Sequence, residues 1–175
     1  VARFEERILA HGMDIREGNP SAGNIKAGLT TIEEKSLGAI HKAGSTKIMG
    51  AHDYGERVTS KGLHVIDSPA REPEALTALA AAGAQVIIFS TGLGTPHGFP
   101  FVPVIKVTGN TRTYEQLQDY IDVGVHQAIE GKETLKSAGK RVFDELVDVA
   151  SGKRTKAEAI GYTDPMNIYV TGPTL

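Results

Sequence analysis

Four consecutive apolar residues, Val86-Ile-Ile-Phe89, constrain this chain more than any other feature. They show neither the alternation of a half-exposed strand nor the 3.6 period of a helix, so they predict a short strand covered on both faces, as in a parallel sheet flanked by helices. Three similar runs bounded by turn residues, Lys47–Ala51, Leu63–Ile66 and Val102–Val107, read as further strands beside Gln85–Phe89. Between the second and third strands, Pro73 opens an Ala/Leu-rich segment that Gly83 closes, which predicts a helix and a βαβ unit. The expected fold is α/β: an open, mostly parallel sheet with helices on both faces, in a Rossmann-like three-layer architecture.

Other segments supply helices. Residues 2–10 place Phe4, Ile8 and Leu9 at helical spacing before Gly12. Thr31 with Glu34 forms a capping box ahead of Ile32, Leu37 and Ile40, and Gly44 ends that helix. Thr113 with Gln116 is a second capping-box pattern, with Tyr114, Leu117, Tyr120 and Ile121 as the buried face of a helix running to about Asp122. The segment Lys132–Ser151 has the strongest amphipathic pattern, through Leu135, Ala138, Val142, Phe143, Leu146, Val147 and Ala150. One α/β domain over residues 1–175 is expected, with a leading helix and Gly/Asn/Pro-rich loop over 1–29 and an irregular tail over 162–175. The start at Val1, so close to that loop, reads as a piece of a longer chain.

Charge and composition narrow the partners. A net charge of −2 with mixed signs offers no basic stripe, which argues against nucleic acid and for a small molecule. No run reaches the roughly 20 apolar residues of a membrane span, and the opening residues do not have a signal-peptide pattern; a cytoplasmic protein is expected. With no cysteine, any metal ligands must be His, carboxylate or carbonyl groups, which favours a hard or borderline divalent ion.

The connection Ser90-Thr-Gly-Leu-Gly-Thr-Pro-His-Gly-Phe-Pro-Phe101 should hold a crossover helix but has glycines and prolines instead. It must emerge at the carboxyl ends of the strands, where open sheets bind ligands, and its glycines would let backbone amides approach an anionic group. A structural turn cluster is the simpler reading of the same residues. Gly92, Gly94 and Gly98 are spaced GxGxxxG, and the prolines forbid the helix that a dinucleotide fingerprint needs. The Gly131-Lys132 and Gly139-Lys140 pairs lack the rest of a P-loop, so no nucleotide cofactor is expected.

Asp67-Ser68-Pro69 follows a strand directly and is either a ligand position or a simple Asx turn. Lys106 lies inside an apolar strand that ends near Asn110. A buried lysine needs an anionic partner or a lowered pKa, and can anchor a carboxylate or act as a base; snorkelling to the sheet edge is the alternative. Of the six histidines, none forms HxH or HExxH. His97 in the glycine loop and His52 beside Asp53 stand out, whereas His11, His41, His64 and His126 read as positions without function. Capping accounts for Glu33 and Glu34.

The order of these segments carries a resemblance. Asn19–Gly44 (NPSAGNIKAGLTTIEEKSLGAIHKAG), Gly62–Pro69 (GLHVIDSP), STGLGTPHG from Ser90, PVIKVTGN to Asn110, IDVGV around Asp122 and FDELVDVASGKRTKAEAIGY resemble, in order, the family of altronate dehydratase, galactarate dehydratase and the large chain of sulfolactate sulfo-lyase. The resemblance implies a carboxy-terminal portion of an iron-dependent lyase that removes water from a sugar acid to give a 2-keto-3-deoxy acid. It also implies a partner in the amino-terminal portion of the same enzyme; a homo-oligomer is expected from the exposed edges of a parallel sheet. The implied site comprises Asn19, Ser21, Asn24, Gly92, Gly94, Thr95 and Asn110 for substrate binding, Lys106, His97 and Asp67 for catalysis, and Asp67, His97 and Asp122 for Fe2+. The family pattern has arginine where this chain has Leu93, which leaves the substrate open. Alternatives are a sulfo-lyase of the same family and a non-catalytic sugar-acid-binding or assembly domain.

Overall fold

In the computed structural model the described residues are Glu6, 9–12, 20–26 and 29–170. The chain divides into two compact units, residues 1–47 and 48–175. The helix expected over residues 2–10 falls largely outside the described residues.

The first unit holds α1 (Ala22–Lys26) and α2 (Ile32–Lys42). Thr31 caps α2 by accepting from the Glu34 N–H, as its position predicts. The Glu34 carboxylate reaches back one residue further than a standard capping box, to the N–H of Thr30 at 2.8 Å.

In the second unit every strand pairing is parallel. Strands β1 (Ile48–His52) and β2 (Leu63–Ile66) form one ladder. Strands β3 (Ile87–Ser90), β4 (Val104–Thr108) and β5 (Val123–Gly124) form a second, in the order β3-β4-β5. The helix α3 (Glu72–Ala82), with Pro73 in its first turn and Gly83 left-handed at φ 106° beyond its end, connects β2 to β3. The α/β class and the parallel sheets flanked by helices are as read from the sequence. The hydrogen bonding departs in one respect: β2 and β3 belong to different ladders, so the expected βαβ unit is not a pair of neighbouring strands.

Alternation along β4 divides the core into two layers. Val104 packs with Leu76 of α3, Ile87, Phe99 and Val102 on one face. Ile105 and Val107 pack with Val123 and Val149 on the other, the last belonging to α6 (Leu135–Ala150). All five residues of β4 are buried, whereas in β3 Ile88 is 46% exposed. The strand covered on both faces is therefore β4, and the uninterrupted apolar run of β3 lies at the edge of its ladder. Full burial of a Val or Ile side chain is worth about 1.5–3 kcal/mol, which makes β4 the centre of stability.

Two helices depart from their expected limits. Helix α4 (Thr111–Gln116) is capped by Asn110, whose side chain accepts from the Thr113 N–H, and it ends well before Asp122. Thr113, expected as the cap, instead lies inside the helix and is buried. After α5 (His126–Ile129) and α6, the short α7 (Lys156–Ala159) has a full capping box between Thr155 and Glu158. The described part of the tail has no regular structure beyond it, but Tyr169 donates its N–H to the Tyr54 hydroxyl. Among the described residues no helix is long and apolar enough to cross a membrane.

Candidate functional site

No helix intervenes between β3 and β4, and the loop that replaces it is tied down along its length. Thr91 donates its N–H to the Val107 carbonyl at 2.9 Å, and the Thr91 hydroxyl accepts from the Gly94 N–H at 3.0 Å. The Gly92 carbonyl accepts from the buried Thr113 hydroxyl at 2.7 Å. Gly94 sits at φ +86°, and a Cβ there would lie 2.2 Å from Leu117 Cδ1, so both backbone and packing require glycine. At Gly98 a Cβ would come within 2.8 Å of the Ala157 Cβ, bringing the loop against α7.

Lys106 lies beneath this loop. It is completely buried, on the same face of β4 as Val104, and its ammonium donates to the carbonyls of Pro96 and His97 at 3.3 Å each. Burial pushes its pKa below the usual lysine value, partly offset by the Asp122 carboxylate. Two carbonyl dipoles do not neutralise a full charge. The ammonium thus leaves the loop above it favourable to anions, and the left-handed turn at Gly94 keeps the backbone free of side-chain bulk.

His97 combines three contacts. Its Nδ1 lies 2.8 Å from the Thr95 hydroxyl and 3.3 Å from Glu72 Oε1, and its ring meets Tyr162 edge-on at 6.1 Å. Thr95 is itself buried and also accepts from the His97 N–H. Two cavities bordering the loop hold about 10 and 50 Å³, room for water only.

The structure joins Thr95, His97 and Lys106 in one hydrogen-bonded group and Gly92, Thr113 and Asn110 in another, while Gly94 is held by Thr91. Asp122 touches the first group from behind: one carboxylate oxygen accepts from the Lys106 N–H at 2.7 Å and the other from the Lys156 N–H at 2.8 Å. Asp67 stands apart, beyond β2, with its N–H on the His52 carbonyl. Ser21 and Asn24, in the first unit, cap α1 reciprocally, and Asn24 also accepts from Lys35 Nζ at 3.0 Å; Asn19 lies outside the described residues. Among the described residues no three His or carboxylate side chains converge as a group that could hold a metal ion. Among those residues Asp67, His97 and Asp122 do not form such a group by themselves. Sequence reasoning missed Thr91, Thr113 and Glu72, whose roles depend on contacts across the fold.

A parallel α/β unit with a glycine-rich loop pinned over a buried cation at the strands' carboxyl ends has the architecture in which open-sheet domains commonly receive a small ligand. The family model for D-galactarate/altronate dehydratase, C-terminal, matches residues 1–173, and the chain belongs to that family. It is 38% identical to altronate dehydratase of Escherichia coli strain K12 over 175 residues, covering all of this chain and 34% of the relative. It is 35% identical to galactarate dehydratase (L-threo-forming) of the same organism over 169 residues, 96% of the chain and 32% of the relative. With the (2R)-sulfolactate sulfo-lyase subunit beta of Chromohalobacter salexigens it shares 40% over 164 residues, 93% of the chain and 42% of the relative. The chain spans about a third of the length of the dehydratases it matches.

Proposed function

We propose that this chain is the carboxy-terminal part of a hydro-lyase that removes water from a sugar acid of the altronate or galactarate type, giving a 2-keto-3-deoxy acid. The observation that carries the reading is the buried Lys106 ammonium under the glycine loop, in a chain that matches sugar-acid dehydratases along its whole length. Dehydration begins with loss of a weakly acidic proton α to a carboxylate, and a positive field at that carboxylate lowers the cost. Amides of the glycine loop other than that of Gly94, which Thr91 holds, would meet the carboxylate, with Lys106 supplying the field from below. His97, oriented by Thr95 and Glu72, is placed to move a proton at its ring nitrogen. Asn110 caps α4 beside the loop and adds an amide to substrate binding.

The chemistry requires an acid to assist departure of the β-hydroxyl, and the divalent iron expected for this family would supply Lewis acidity. The described residues do not provide its ligands as a group. Because the chain spans a third of its dehydratase relatives, we further propose that it acts together with an amino-terminal portion, which would also cover the loop's open side, and that the assembly is a homo-oligomer in the cytoplasm. A second reading, elimination of sulfite from a sulfonated acid, draws support from the 40% identity to the sulfo-lyase subunit. The test is an anaerobic assay of this chain joined to its amino-terminal portion, with ferrous iron and a panel of aldonates, aldarates and sulfolactate. Keto acid from a sugar acid supports the dehydratase; sulfite supports the second reading; binding without turnover would favour a ligand-binding or assembly domain.

A further inference from the structure

The β1–β2 ladder carries a second group of chemistry-bearing side chains. Its register sets Gly50 opposite His64, and His52 follows two residues along β1, so both imidazoles lie on the face where Gly50 has no side chain. Nε2 of His52 and Nδ1 of His64 are 2.9 Å apart, with the rings tilted by 46°. A Cβ on Gly50 would stand 3.1 Å from the first nitrogen and 2.9 Å from the second, so the two nitrogens converge on the space that the glycine leaves.

The outer nitrogens are held as well. His52 Nδ1 lies 3.2 Å from Glu56 Oε1, and the other Glu56 oxygen accepts from the Asp53 N–H at 2.8 Å. His64 Nε2 lies 3.3 Å from the Ser60 hydroxyl. One tautomer pair that satisfies these contacts has His52 donating through Nδ1 to Glu56, with its bare Nε2 accepting from His64 Nδ1. If His64 moves its hydrogen to Nε2, donating it to Ser60 Oγ, both inner nitrogens become bare and face each other. Two bare imidazole nitrogens, each oriented through its second nitrogen by an oxygen, form the donor arrangement of a transition-metal site.

We propose that His52 and His64 bind one borderline divalent transition ion, of the zinc or nickel type, with water completing the coordination. Imidazole donors without thiolate suit such ions. An ion about 2.0–2.1 Å from each nitrogen in tetrahedral geometry needs them roughly 3.3 Å apart, a few tenths wider than the contact seen; a small side-chain rotation provides it. The ion also has structural work to do, since no residue of β1 or β2 is fully buried and a two-stranded ladder is marginal without further support. An ion bound across it clamps β1 to β2. Asp67 adjoins this ladder through its N–H on the His52 carbonyl, but the proposed ion sits on the two imidazoles and does not depend on the sugar-acid reading.

The experiment titrates the metal-free 175-residue chain with Zn2+ by calorimetry, with thermal melting in parallel. One ion per chain and a raised Tm are expected. His52→Gln and His64→Gln should each weaken binding at least tenfold and abolish the Tm rise, and Glu56→Gln should weaken it by about ten- to a hundredfold. Gly50→Ala retains both histidines but places a methyl group between their inner nitrogens, so it should lose the ion; it keeps the test decisive if a histidine variant fails to fold. An unresponsive wild-type chain, or unchanged affinity in His64→Gln or Gly50→Ala, would overturn the proposal.

Discussion

One carboxylate oxygen of Asp122 accepts the backbone N–H of Lys106 at 2.7 Å, while the Lys106 side chain leaves β4 to hold the glycine loop. Through its other oxygen Asp122 holds the first residue of α7, so a single carboxylate fastens β4 and α7. Asp122→Asn replaces one acceptor with a donor that neither N–H can use. It should destabilise the chain by about 1–3 kcal/mol in urea unfolding. A variant as stable as the parent would show that these bonds contribute little.

Lys106 should leave a mark on the pH dependence of stability. Burial lowers its pKa in the folded chain below 10.5, so between the two values the unfolded chain holds more protons. Stability should therefore rise with pH across that alkaline window, as the penalty of the buried charge is relieved, and level off above 10.5. In Lys106→Met this contribution disappears. Unfolding free energies of the two proteins, measured from neutral to alkaline pH, should converge as pH rises; a constant difference would mean that Lys106 titrates alike in both states.

Gly94→Val puts a branched side chain at φ +86° and against Leu117, which strains the backbone and displaces the loop. Together with the amino-terminal portion, this variant should lose affinity for the sugar acid. Retained affinity would reduce the loop to a turn.

Thr155 is fully buried and caps α7, with Glu158 completing the box. Thr155→Ala should cost about 0.5–2 kcal/mol, and because α7 packs against Gly98, chemical shifts in the glycine loop should move with it. An unperturbed loop would show that α7 does not support it.

Local signals in the sequence were read well where one segment decides its own structure. Thr31 and Glu34 placed α2, and Pro73 and Gly83 bounded α3 to within a residue. The glycines and prolines after Ser90 ruled out a helix there. Signals that depend on neighbours were read less well. The apolar run of β3 resembles that of a central strand, yet strand order puts β4 at the centre. Lys106 was recognised as anomalous, but its partners are backbone carbonyls about ten residues away, which no side-chain pattern reveals. Nothing in the local sequence marks His64, because its meaning comes from the register that sets it opposite Gly50 and near His52.

Lys106 and the loop above it are proposed to serve sugar-acid dehydration. The most direct measurement compares Lys106→Met with wild type, each joined to its amino-terminal portion, for keto-acid formation from altronate and galactarate under anaerobic conditions with ferrous iron. Wild type should form keto acid from one of these substrates, and Lys106→Met should remain folded while losing turnover by orders of magnitude. Undiminished turnover in Lys106→Met would contradict this role.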